Sequence, residues 1–214
     1  MPSQTFLPEQ STMAAENHRI IHVQVLDVSI QTMVTHAPSS VGTWIWATQY
    51  IHRRRLHRLI VGLDIEWRPN TRAQQNNPAA TLQLCVGRRC LIFQLIYAPQ
   101  IPQSLLNFLT NPDYTFVGVG IENDVAKLED DYGIGVSRSV DLRELAAEEL
   151  GMMELRSAGV KTLARVVLGD EIWKPRRVSR SRWDRGWLSQ DQIRYACQDA
   201  YISFEIGRRL NASR

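Results

Sequence analysis

The chain has 214 residues, 44% hydrophobic and 22% charged, with a formal net charge of +3. That balance belongs to a folded globular chain and excludes a wholly disordered, collagen-like or coiled-coil protein. No run approaches the roughly 18 apolar residues a membrane-spanning helix needs, and Met1-Pro2-Ser3-Gln4 lacks the basic-then-apolar form of a secretory leader. Three cysteines (Cys85, Cys90, Cys197) are too few for a disulfide framework and are expected as core residues. The expectation is an intracellular protein of nucleus or cytoplasm, not secreted and without a membrane partner.

Residues 1–18 are expected as a mobile tail ahead of a single domain over 19–214. Ile20–Val25 and Ser29–Val34 alternate as two short strands, joined as a hairpin across Leu26-Asp27-Val28. Val41–His52 carries Val41, Trp44, Ile45, Ala47 and Ile51 at helical spacing, which predicts one buried face. Leu59–Trp67 is the strongest strand, a nearly continuous apolar run broken by Asp64 and Glu66. A polar loop follows over 68–78, then a hairpin from Thr81–Val86 and Cys90–Leu95 about Gly87-Arg88-Arg89.

Downstream, Ser104–Leu109 is a short helix, Tyr114–Val119 a strand, and Asp124–Tyr132 a helix closed by Gly133. Val140 marks another strand tip, followed by helices over Asp141–Leu150 and Val160–Leu168. Trp173–Trp187 is expected as a long loop, and a last helix runs to about Leu210 with Ser189 as its N-cap. Strands mixed with helices predict an α/β layer structure about one sheet.

Basic charge is unevenly placed. Of the 25 cationic residues only Lys127, Lys161 and Lys174 are lysines. Arg53, Arg54, Arg55 and Arg58 cluster without an acid, and residues 172–186 hold Lys174, Arg176, Arg177, Arg180, Arg182 and Arg185 against Asp184 alone. Two such patches on an otherwise acidic chain point to a polyanion-binding face, against the alternative of solvated surface. Trp173, Trp183 and Trp187 interleave with the second patch, either to stack bases or, the favoured reading, to anchor the loop.

Asp64-x-Glu66 alone is a weak signal, but residues i and i+2 of a strand share a face. Two carboxylates side by side near the end of a covered strand repel, by roughly 4 kcal/mol at about 4 Å. A cation or a retained proton would relieve them, unless the strand ends early and both acids are solvated. Val117-Gly118-Val119-Gly120-Ile121-Glu122-Asn123-Asp124 then runs from strand to helix. There Asp124 fits a cap as well as a ligand, and Glu122 and Asn123 compete with it. In the last helix Tyr195 and Asp199 lie i to i+4 on one face.

Taken in order, these segments resemble the three motifs of the 3′–5′ exonucleases named for four acidic residues, in the subclass whose third motif has tyrosine. The nearest likeness is to the exonuclease domain of the Werner syndrome protein and its plant relatives, and more distantly to ribonuclease D. The words that carry it are Val61-Gly62-Leu63-Asp64-Ile65-Glu66-Trp67, the segment 117–124, and Leu188-Ser189 through Tyr195-Ala196 to Asp199-Ala200-Tyr201. All five histidines precede the central strand, which sets aside the sister subclass with histidine in the third motif.

The resemblance spans about Ile20 to Leu210 and implies a free-standing domain with the ribonuclease-H-like fold, a mixed sheet with one antiparallel strand and helices on both faces. It implies metal-dependent 3′–5′ exonuclease activity on DNA or RNA ends. Asp64, Glu66, Asp124 and Asp199 would hold two divalent cations, Mg²⁺ or Mn²⁺, and Tyr195 would orient the attacking water. Trp67, Arg176, Arg177, Arg180 and Arg182 are the candidate substrate contacts, nucleic acid is the expected partner, and a homo-oligomer is compatible with all of this. Asn123 departs from the small residue expected before Asp124. The rival readings are a catalytically weak or inactive nucleic-acid-binding or scaffold protein on the same fold, and an enzyme acting on small nucleotides.

Overall fold

The most continuous apolar segment lies third from one edge of a seven-stranded sheet. A computed structural model describes residues 18–72 and 74–213. Its strands are β1 (His18–Val25), β2 (Val28–Thr35), β3 (Leu59–Trp67), β4 (Ala79–Val86), β5 (Arg89–Phe93), β6 (Tyr114–Gly118) and β7 (Ser139–Asp141). They lie in the order β1-β2-β5-β4-β3-β6-β7. β4 runs antiparallel to both β3 and β5, while β3–β6, β6–β7 and β2–β5 are parallel. β4 is thus the expected antiparallel strand inside the sheet. The N-terminal hairpin adds β1 at the edge, antiparallel to β2.

Helices cover both faces. α1 (Pro38–His52), α2 (Gln103–Leu109) and α3 (Ile121–Tyr132) bury Trp44, Phe108 and Leu128 against Leu63, Leu82 and Phe93 on one side. α4 (Leu142–Leu150), α5 (Val160–Leu163) and α7 (Gln190–Arg209) pack Leu142, Leu163 and Ala200 with Ile60, Ile92 and Val117 on the other, with the small α6 (Arg176–Ser179) at its margin. Alternation along β3 sorts its side chains, with Leu59, Val61, Leu63 and Ile65 in the α1–α3 core. Gly62, between Ile60 and Asp64, faces α7. A Cβ there would lie 2.0 Å from the Ala200 carbonyl oxygen and 2.7 Å from the Phe204 nitrogen. Only glycine admits so close an approach of helix to strand, and the approach brings α7 onto the carboxylate-bearing face of β3.

Several boundaries differ from the sequence pattern. His18 already belongs to β1, and the rest of the expected tail lies outside the described residues. α1 begins earlier, because Pro38 suits the first helical turn, and buries Thr48 where Ile51 was expected; Ile51 is exposed. α3 starts at Ile121, three residues before Asp124, because Gly120 takes the left-handed conformation (φ 75°) and lets β6 turn at once into helix. Residues 164–168 continue α5 as a wider π turn, and the expected loop 173–187 contains the turn of α6. Ser189 caps α7 as expected, with a reciprocal Gln192 side-chain bond to its backbone. All three cysteines are free and buried. No helix among the described residues is long and apolar enough to cross a membrane.

The two arginine patches do not share a face. Residues 53–58 precede the first residue of β3, whereas Asp184 of the second patch receives a bond from Arg68, just beyond the last. The sheet's length separates them.

Candidate active site

Three carboxylates converge where β3 ends under α7. Asp64, Glu66 and Asp199 each offer an oxygen within 4.8 Å of the others. The i, i+2 spacing of β3 supplies the first two, and the Gly62–Ala200 contact brings in the third. Burial is the largest cause of the upward shift of all three carboxyls. Asp199 and Asp124 add repulsion at Asp64, and Asp64 and Asp199 add it at Glu66. Asp124 lies outside the three-carboxylate group. It is half-buried in the first turn of α3, and burial, then Asp141, pushes it up to about 7. Its competitors Glu122 and Asn123 are exposed.

The β6–α3 turn that presents Asp124 is held from below. Asp141 caps α4 and accepts from the Gly120 N–H at 3.1 Å. Although Asp141 is desolvated, bonds from the Arg143 side chain, the Arg143 N–H and the Gly120 N–H keep its carboxyl below the usual range.

Tyr195 lies one helical turn before Asp199 and is buried. Burial and the nearby Asp199 raise its phenol, so it keeps its proton at neutral pH. Trp183 packs on its ring, centroids 6.0 Å apart, and is itself fully buried. Trp173 lies half-buried under the Arg194 guanidinium (4.7 Å). These two tryptophans therefore anchor the segment 173–187 to α7, while Trp187 is 69% exposed with Arg19 over its ring.

The residue that pattern reading missed is Lys174. Its ammonium pairs with Asp199 Oδ2 and lies 4.5 Å from the centre of the Tyr195 ring. Gln198 Nε2 donates to the Trp173 carbonyl at 2.6 Å and so fixes the backbone immediately before it. Desolvation alone would lower the ammonium, but Asp199, Asp64 and Tyr195 more than offset it and raise it above its ordinary value. In sequence Lys174 was only one cation in an arginine run. Its being one of three lysines among 25 basic residues was the available signal.

Lys174 does not exhaust the site. Asp64 Oδ2 and Asp199 Oδ1 are buried and have no hydrogen-bond partner. The two residues line a cleft of about 190 Å³ with Lys174, Val119, Val160 and Ser203. Orphaned carboxylate oxygens in such a setting suit a hard divalent cation, which takes oxygen ligands. The donor set therefore fits Mg²⁺ or Mn²⁺, with Asp64, Glu66 and Asp199 as ligands and Asp124 beside them.

The candidate substrate contacts are dispersed. Trp67 is half-buried, with Lys127 5.4 Å from its ring centre. Arg177 pairs with Asp191 and Arg182 with Asp184, while Arg176 and Arg180 are exposed. Asp191 lies eight residues before Asp199, about 12 Å along α7. A second cleft, of about 320 Å³, is lined by Arg177, Arg182, Arg185 and Trp187.

Residues 47–213 match the family model described as a 3′-5′ exonuclease, and the chain belongs to that family. It is 35% identical over 151 residues to a 3′-5′ exonuclease of Arabidopsis thaliana, covering 70% of this chain and 52% of the relative. Over 152 residues it is 34% identical to the bifunctional 3′-5′ exonuclease/ATP-dependent helicase WRN of Mus musculus, covering 71% of this chain and 11% of that one. The chain thus spans about half the length of the plant relative and about a tenth of the mouse one. Its backbone superposes on Escherichia coli RNase D, an exoribonuclease involved in structured RNA processing, with a TM-score of 0.69 at 18% identity, over 84% of this chain and 44% of that one. This likeness places the chain in the ribonuclease-H-like fold.

Proposed function

We propose that this member of the 3′-5′ exonuclease family hydrolyses phosphodiester bonds at the 3′ end of DNA or RNA by a two-metal mechanism. The observation that carries the reading is the carboxylate group of Asp64, Glu66 and Asp199, with two buried oxygens left unpartnered. Bound there, a pair of Mg²⁺ or Mn²⁺ ions would supply activation of water and stabilisation of charge developing on the phosphate. Asp64, Glu66 and Asp199 would hold the cations, and Asp124 would complete the four-acid set.

Tyr195, one helical turn before Asp199 and with its phenol raised by burial, orients the attacking water. Val119 and Val160 supply the apolar wall of the cleft. Lys174 places a positive charge in the same cleft, where a phosphate oxygen would gain negative charge. Trp67, Arg176, Arg177, Arg180 and Arg182 are the side chains proposed to contact the substrate strand.

Purified protein incubated with 5′-labelled and 3′-labelled oligonucleotides in Mg²⁺ or Mn²⁺ tests the reading. Stepwise shortening from the 3′ end, lost in EDTA and in Asp64→Asn, is expected; trimming from the 5′ end or full activity in EDTA overturns it. One observation favours a second reading, a nucleic-acid-binding or scaffold protein of weak or no activity: Lys174 already neutralises part of the acidic group. Tight oligonucleotide binding without product in either metal would establish that alternative.

A further inference from the structure

The arginines of residues 53–58 take no part in the site described above. They lie at the opposite pole of the sheet, where α1 ends, β3 begins and β4 turns into β5. From Leu59 to Asp64 the strand rises by about 17 Å. The β4–β5 turn adds Arg88 and Arg89 to this pole, beside His52 at the end of α1. Burial, Arg55 and Arg89 together hold the His52 ring below its usual value. His52, Arg55, Arg58 and Arg208 also line a small cleft of about 80 Å³ with Ile60 and Phe204.

Among the described residues, no ion pair to a carboxylate neutralises these charges. Among the described residues, Arg68, Arg143, Arg156, Arg177, Arg182 and Arg208 form ion pairs with carboxylates. None includes Arg53, Arg54, Arg55, Arg58, Arg88 or Arg89. Several guanidiniums without acids, on three adjoining elements, repel one another, and an external polyanion relieves that repulsion. Arg89 donates from Nη1 to Gln31 Oε1 at 2.7 Å, and its buried Nε has no partner.

A second observation specifies the polyanion. Trp46 and Tyr50 project from the solvent face of α1, 65% and 55% exposed, with rings stacked 5.5 Å apart at 13°. The Arg53 guanidinium lies 4.5 Å from the Tyr50 ring centre, so the aromatic platform runs directly into the arginine turn. Exposed aromatic rings continuous with arginines that have no carboxylate partner among the described residues match unpaired bases on a phosphate backbone, which needs both stacking and charge. A duplex hides its base faces, and an acidic peptide offers nothing to stack.

We propose that this pole binds single-stranded nucleic acid, away from the end that enters the acidic cleft. Binding rests on the pole alone; that the strand is a substrate held at a distance rests on the exonuclease reading. The test uses Arg53→Glu/Arg54→Glu/Arg58→Glu and, separately, Trp46→Ala, side chains at the surface whose loss opens no core. Fluorescence anisotropy of 5′-labelled 20-mers of thymidylate and uridylate is followed in EDTA across a salt series, and cutting of a tetranucleotide is followed in Mn²⁺.

The triple variant is expected to bind 20-mers at least about tenfold more weakly, with a log–log salt slope lower by about 2 for three lost phosphate contacts. Trp46→Ala is expected to lose about fivefold or more with its salt slope unchanged. Tetranucleotide cutting stays at the parental rate in both, because so short a strand does not reach the pole. Parental 20-mer binding in both variants overturns the inference and leaves the pole to an acidic protein partner. An equal loss on 20-mer and tetranucleotide overturns it too. A parent that binds 20-mers in EDTA but never shortens them in Mn²⁺ overturns the exonuclease reading and not this one.

Discussion

Lys174→Met removes the ammonium from the acidic cleft while keeping the side chain's length. In the parent the pair is well enclosed, with Asp199 5% and Lys174 28% exposed. Carboxylate oxygens within 4.8 Å of one another repel by at least about 3.5 kcal/mol per ionised pair at an effective dielectric near 20, so the metal-free cleft depends on this cation. Removing one partner of a buried ion pair costs about 3–5 kcal/mol. Proton uptake by Asp199 recovers part of it and leaves about 3 kcal/mol. For a chain of this size each kcal/mol moves the melting temperature by about 2–4 °C, so the variant should melt about 6–12 °C below the parent in EDTA. Mn²⁺ at about a hundredfold above its Kd adds about 2.7 kcal/mol to a protein that binds it only when folded. With Asp199 Oδ2 released, the variant should bind Mn²⁺ more tightly and the gap should narrow. Calorimetric melts in EDTA and across an Mn²⁺ titration, with the affinity read separately by isothermal titration, decide the matter. Coincident melts in EDTA, or a gap that Mn²⁺ does not narrow, would refute the reasoning.

Asp64→Asn should lower 3′-end cutting by at least about 100-fold, yet raise metal-free stability by about 1–3 kcal/mol because one member of a crowded carboxylate group is gone; a urea melt showing a loss instead would mean that the carboxylate is better satisfied than its free oxygen indicates. pH has a fixed sign. Asp124 titrates at about 7 when folded against an ordinary 3.8, so its contribution is complete below about pH 4 and lost as pH rises through 7, a swing of up to about 4 kcal/mol. Burial raises Asp64, Glu66 and Asp199 in the same direction, so urea midpoints in EDTA should fall from pH 4.5 to pH 8. Mn²⁺ affinity should rise over the same interval, since each ligand must shed its proton, and a flat affinity by titration calorimetry would count against these acids as ligands. Gly62→Ala should cost about 3 kcal/mol or more in urea denaturation, because the new methyl meets the backbone of α7 and no flexible side chain can yield.

What could be read without coordinates was whatever a short span of chain determines. Asp64 and Glu66 share a face because strands have a period of two, and Tyr195 and Asp199 share one because helices bring i and i+4 together. Ser189 and Gln192 announced the start of α7 by the same local logic. Boundaries slipped where a distant group decides them. The Gly120 turn is closed by Asp141, twenty-one residues away, so the start of α3 was not visible in its own residues. Likewise Ile51 fits the apolar spacing of α1 but is exposed, and Thr48 is buried instead. The arginine patches were legible as charge and illegible as geometry, since only the fold shows that β3 stands between them.

Lys174 is the sharpest case. Composition counted it as one more cation in a run of arginines, yet that segment crosses a cleft in which buried carboxylates repel one another and in which desolvation opposes every charge. A chain folding this way without metal must bring its own cation or keep protons on its acids, and the element passing over Asp199 is the one able to deliver it. Lysine suits the position better than its arginine neighbours. A compact ammonium on a flexible stem can hold one carboxylate oxygen and leave Asp199 Oδ1 and Asp64 Oδ2 free, whereas a planar guanidinium would engage a carboxylate through both oxygens. The choice of cation thus leaves the acidic cleft stable enough to fold and still open to divalent ions, and the same reasoning predicts that Lys174→Arg would hold the metal-free fold while weakening Mn²⁺ binding.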